Sequence, residues 1–246
     1  RRVLFRSKMC VTIDEILTFL QKSSSEKFKT NITKLGIPSE NTIGVATPDL
    51  RKLAKKLPKE KEFLMKLWQT NFHECKILTI LAIKPTDCTV QDIDYFMKGI
   101  FSWDLCDLFC KNILIKQDDF DCFILNWIDS DKIFYKRAAF SLIASTSTHA
   151  SLSIEEIKRY LKLIEGNSDD ERILVKKAAS WALRELGKTS EEAKSLAIET
   201  SNAMKLQESK AKQWISNDAL KELILLVQAP GRSRLISSNS KMGRNR

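Results

Sequence analysis

A shortage of chain breakers restricts this sequence more than any other feature. Seven glycines and five prolines are spread over 246 residues, about 5% of positions against about 12% in average usage. Turns and sharp corners draw on those residues, so a long chain poor in them is expected to run as helices joined by short connections. The patterning agrees: Ile13, Ile16, Leu17 and Leu20 form a first apolar stripe at helical spacing. Gly36 to Pro48, with two prolines, two glycines and Asn41, reads as a loop. Thr47 then offers an N-cap, Pro48 fits the first helical position, and Leu50, Leu53, Ala54 and Leu57 continue inward. Further helices are predicted over 60–69, 73–83, 89–99, 103–115, 119–128, 132–145, 153–164, 170–187, 190–206 and 209–228. Asp118, Ser130, Ser153, Asp169 and Ser209 stand where caps are expected. No alternating strand pattern appears. The expected fold class is all-α, an array of helix pairs each burying its stripe on its neighbours.

The formal charge of +10 is concentrated at the ends. Residues 1–8 hold four cations and residues 231–246 hold five, neither stretch has an acid, and the body between carries about +1. A polyanion-binding surface must therefore come from charge sorted onto one face. The opening RRVLFRS reads like the translation of a sequencing adapter, so 1–8 is taken as a non-native extension with Met9 as the natural start. Residues 9–230 are expected to form a single domain and 231–246 a disordered basic tail. No window approaches 18 apolar residues and no secretory signal is visible, which argues against a membrane or secreted protein. The six cysteines make no CxxC pair, and Cys106 and Cys110 have neither His73 nor His149 nearby in sequence. Buried, reduced thiols in an intracellular chain are expected, cytoplasmic in a prokaryote and nuclear in a eukaryote, with no metal and no cofactor.

Two segments could carry chemistry. In FSWDLCD (101–107), Trp103 and Asp107 are four apart and share a helical face. A carboxylate beside an aromatic face can host a cation, because the ring offers its negative quadrupole and the acid a full charge. A solvated acid next to a core tryptophan is the competing reading, and Asp104 reads as an ordinary acid at a helix start. Farther on, Lys177, Trp181, Arg184 and Lys188 make a stripe of three cations around an indole. Such stripes suit phosphate backbones and sugar or base faces, although a solvated charged face would look the same. Arg137 could clamp a phosphate through paired donors. There is no P-loop, GxGxxG, HExxH or G-x-S-x-G.

The sequence resembles the AlkD-like DNA alkylation repair proteins, the HEAT-like repeat DNA glycosylases. The segments that carry the resemblance are IGVATPDLRKLAKKL (43–57), NFHECKIL (71–78), FSWDLCD (101–107), FYKRAAFSL (134–142), DDERILVKKAASWALRELGKTS (169–190) and SKAKQWISNDALKEL (209–223). Together they cover most of the body in the family's order. The resemblance implies a HEAT-like α-solenoid of about six antiparallel helix pairs with a concave face. It also implies a monofunctional glycosylase, working as a monomer without a membrane, that removes N3- or N7-alkylated purines from duplex DNA. The family's catalytic positions fall on Trp103, Asp107 and Trp181 and its phosphate-contacting arginine on Arg137, while Lys177, Arg184 and Lys188 would hold the backbone. One position departs: where some members place a tyrosine near the lesion, this chain offers Phe28 in a longer loop, and nothing is carried over there. Loss of the cationic base leaves an oxocarbenium-like sugar, which Asp107 would stabilise while it orients water. Activity should then need an ionised Asp107 and fade at acid pH. The alternative is a non-catalytic module that binds nucleic acid or protein.

Overall fold

The computed structural model describes residues 11–244; the extension at 1–8, Met9 and Cys10 lie outside them. The described residues form fourteen α-helices and one two-stranded antiparallel ribbon. They fall into two compact units, divided between Leu108 and Phe109. The first unit contains α1 (Ile13–Lys22), α2 (Glu26–Lys34), α3 (Thr47–Ala54), α4 (Lys61–Gln69), α5 (His73–Ala82), α6 (Val90–Lys98) and the start of α7 (Trp103–Asn112). The second contains the end of α7, then α8 (Phe120–Trp127), α9 (Ile133–His149), α10 (Ile154–Asn167), α11 (Ile173–Gly187), α12 (Glu191–Lys205) and α13 (Lys210–Leu223). It closes with β1 (Leu226–Val227), β2 (Ile236–Ser237) and α14 (Lys241–Arg244). No helix of the described residues is long and apolar enough to cross a membrane.

Local chemistry sets most helix starts. Thr12 with Glu15, Thr89 with Asp92 and Ser153 with Glu156 form reciprocal capping boxes, each satisfying two amides that the helix leaves unpaired. Ser209 caps α13 as expected. Elsewhere the cap is displaced by a residue or two. Ala46, not Thr47, is the N-cap of α3, so Thr47 and Pro48 occupy its first turn. The Ser130 hydroxyl accepts from the Lys132 amide ahead of α9, and Asp170 rather than Asp169 accepts from the Arg172 amide ahead of α11. Helix α2 was missed by periodicity: EKFKTNITK has Ile32 as its one buried residue, and Ser25 caps it.

In the first unit α5 packs against both α3 and α4 and is buried on nearly every side. A carboxylate lies inside this core. Glu74 is 0% exposed and accepts backbone amides from Ile43 at 3.0 Å, Gly44 at 2.7 Å and Val45 at 3.2 Å. Gly44 is needed there: its φ is +106°, and a Cβ would sit 3.0 Å from the Lys29 Cβ and the Ser25 carbonyl oxygen. The loop between α2 and α3 is thus pinned from within. In the second unit α9 runs beside α11, which also packs on α12 and α13. Residues 137–147 are buried without interruption, so α9 is a central helix, not an amphipathic one.

The basic tail expected to be disordered is ordered through residue 244. β2 pairs with β1, Leu235 is 2% exposed, and its amide donates to the Lys188 carbonyl at 2.8 Å. Arg234 ion-pairs with Glu185 at 2.7 Å and donates to the Ser147 hydroxyl. A buried leucine, a paired arginine and the β1–β2 pairing tie down a segment whose composition is otherwise that of a solvated chain. Cys75, Cys88, Cys106 and Cys110 are buried, whereas Cys122 is exposed on α8.

Candidate functional site

In the first unit the site begins at the N-terminus of α7. Trp103 is its first residue and Asp107 lies one turn on, both half-buried. The Trp103 indole N–H donates to the Leu35 carbonyl, the C-cap of α2, at 3.0 Å. That bond fixes the ring plane, so Trp103 is neither a core residue nor a loose surface one. Beside it, Asp104 receives the His73 ring nitrogen at 3.0 Å. Burial works against the charge on Asp104, but the hydrogen bond and charge of His73 outweigh it and hold the carboxyl below its ordinary value. Asp104 is therefore a tie between α5 and α7, more than an acid at a helix start. Since folding depresses its pKa, the stability it adds is complete above the ordinary carboxylate value and is lost as pH falls through the depressed one. Asp104→Asn should cost about 1.5–3 kcal/mol at neutral pH. In denaturant melts the gap to wild type should narrow steadily below pH 4.

In the second unit Trp181 is half-buried on α11, with the Lys111 ammonium 4.7 Å from its ring centroid. The basic stripe expected around it is largely neutralised. Arg184 pairs with Glu222 at 2.9 Å, and Lys188 pairs with Glu222 at 2.7 Å and with Glu185 at 2.8 Å. Burial opposes the charges on Glu185 and Glu222, yet their basic partners prevail and keep both carboxyls low. Lys177 is exposed. Arg137, expected at the surface as a phosphate clamp, is only 5% exposed and donates to the Leu174 carbonyl at 2.6 Å. The reason is its place on α9, at the start of the buried stretch that faces α11. Sequence reasoning also passed over Lys111, whose spacing of four from Asp107 was available, and His73, which lies inside a quoted motif. Among the described residues no three His, Cys, Asp or Glu side chains form a metal-holding group.

The fold has a solved counterpart. A solved structure, described as a new family of proteins related to the HEAT-like repeat DNA glycosylases with affinity for branched DNA structures, matches with a TM-score of 0.70. The match covers 96% of this chain and 94% of that one at 15% identity, and it shows an all-α HEAT-like repeat fold. The family follows from the sequence: the family model for DNA alkylation repair enzymes matches residues 16–223, and the chain belongs to that family. The uncharacterised protein Lmo0209 of Listeria monocytogenes is 29% identical over 125 residues, 49% of this chain. That stretch spans only 56% of the relative's own length.

Proposed function

We propose that this protein is a monofunctional DNA glycosylase that hydrolyses the N-glycosidic bond of cationic N3- or N7-alkylated purines in duplex DNA. The observation that carries the reading is the pairing on α7 of a half-exposed carboxylate, Asp107, with an indole, Trp103, held in a fixed plane by the Leu35 carbonyl. Alkylation has already made the base a good leaving group, so the protein need not protonate it. As the bond from C1′ to the base nitrogen breaks, its electron pair neutralises the purine and positive charge passes to the sugar. Asp107 stabilises that charge, orients water toward C1′ and takes its proton, leaving an abasic sugar and the neutral alkylpurine. The Trp103 face attracts the same cation through its quadrupole. Lys177 contributes to the hold on the backbone. Arg137, Arg184 and Lys188 join it only by exchanging their present protein partners for phosphate.

The internal pairing of Arg184 and Lys188, together with the branched-DNA affinity described for the structural relative, favours a second reading: DNA binding without cleavage. Base release from methylated duplex DNA by wild type, run beside a retardation gel, separates the two. Free 7-methylguanine selects the glycosylase; a retarded complex with no base released selects the binder.

A further inference from the structure

We propose that His73 and Asp104 are positioning residues for base release, the closing link in a ring of hydrogen bonds that sets Trp103 beside Asp107. The inference deepens the proposed function and rests on its glycosylase reading. His73, at the start of α5, is 3% exposed, and its Nε2 lies 3.0 Å from each oxygen of Asp104. Trp103, the residue before Asp104, donates its indole N–H to the Leu35 carbonyl at 3.0 Å. The chain beyond Leu35 then returns to α5. There the Asn41 carbonyl accepts the His73 amide at 2.7 Å, and the Asn41 side chain donates to the Asn71 carbonyl at 3.3 Å. Asn71, which leads into α5, is the one non-glycine at positive φ among the described residues, at +62°, a conformation asparagine tolerates better than most side chains. Glu74 secures the same loop by accepting the amides of Ile43, Gly44 and Val45. Adjacent residues of α7 are thus tied to the two sides of one circuit, Trp103 to the end of α2 and Asp104 to the start of α5.

Helix α5 also grips the chain just ahead of α7. One turn after His73, the Lys76 ammonium donates to the Gly99 carbonyl at 2.6 Å and lies 4.6 Å from the Phe101 ring centroid. Filling space does not require such polar ties: apolar side chains of similar volume would join α5 to α7 without stripping water from an imidazole and a carboxylate. What the His73–Asp104 bond adds is direction. It fixes the rotation of α7 about its axis, and any rotation there swings Trp103 and Asp107 together, since they share a face. Both residues of the pair act through the helix they fix.

The test is single-turnover release of 7-methylguanine from methylated duplex DNA by the full chain, beside anisotropy with undamaged duplex and urea unfolding. Rates are compared per folded molecule, from the urea curves. H73L should slow release about ten- to a hundredfold, the effect of misplacing reacting groups by about 1 Å, with duplex affinity within about twofold of wild type. H73Q, whose side-chain amide can donate to Asp104 from nearly the place of Nε2, should recover the rate to within about threefold. D104L, which breaks the same bond from its more exposed side, gives the same comparison where H73L does not fold. The H73L/D104L double variant should be no slower than either single one, because both substitutions remove one bond. A general loss of stability would produce neither that lack of additivity nor the rescue by glutamine. H73L as fast as wild type, H73Q as slow as H73L, or a double variant slowed by the product of the two single effects overturns the positioning role alone. A wild type that binds duplex and releases no base overturns the glycosylase reading and the positioning role with it.

Discussion

Asp107→Asn is expected to slow release of 7-methylguanine from methylated duplex DNA by about a hundred- to a thousandfold. The change keeps the volume of the side chain and removes its charge, the only part of it that distinguishes the developing sugar cation from the neutral product. Deleting one electrostatic interaction aimed at a transition state typically has an effect of this size, equivalent to about 3–4 kcal/mol of barrier. Because the side chain keeps its shape on α7, the variant should still fold, and it should bind undamaged duplex at least as well, having one negative charge fewer. Single-turnover base release, measured chromatographically, gives the rate. A variant as fast as wild type would remove the carboxylate from the chemistry.

The largest effect on stability is expected at Glu74. Truncation by Glu74→Ala leaves the amides of Ile43, Gly44 and Val45 without their acceptor in a site with 0% exposure of the glutamate. An unpaired buried donor costs about 1–3 kcal/mol, and loss of one partner from a buried charged network about 3–5 kcal/mol. A loss of about 4 kcal/mol is therefore expected, a large share of the stability of any domain. Urea unfolding should show a much lower midpoint than Lys52→Gln, which breaks only an exposed pair with Asp49. A Glu74→Ala midpoint close to that of wild type would mean that water enters and takes over the three bonds. The loop pinned by Glu74 follows directly on Leu35, so base release should fall further than stability alone accounts for as Trp103 loses its fixed plane.

Most of the helices were legible because their causes are local. Ser153 and Ser209 announce their helices through side chains three residues from the amides they accept, and the apolar spacing of α4, α6 and α10 appears within each segment. Helix α2 escaped because a single buried residue, Ile32, leaves no stripe to read. The half of the site on α7 was legible for the same reason as the helices, since Trp103 and Asp107 are one turn apart. The surroundings of Trp181 were not. Glu222 reaches Arg184 and Lys188 from more than thirty residues away, and a stripe that looks basic along α11 is half neutral once α13 lies against it. Arg137 shows the converse: its side-chain chemistry suits a phosphate clamp, but it opens the buried run of α9, which carries it inward. Leu235 and Arg234 anchor a tail whose composition alone predicts no order.

The indole of Trp103 is steered by a main-chain oxygen, and that has an evolutionary consequence. Leu35 is 60% exposed and contributes only its carbonyl, so any amino acid at position 35 that preserves the path of the backbone supplies the same acceptor. Drift at that position is harmless, whereas an insertion or deletion between α2 and α3 would misalign the ring without altering a single residue of the site.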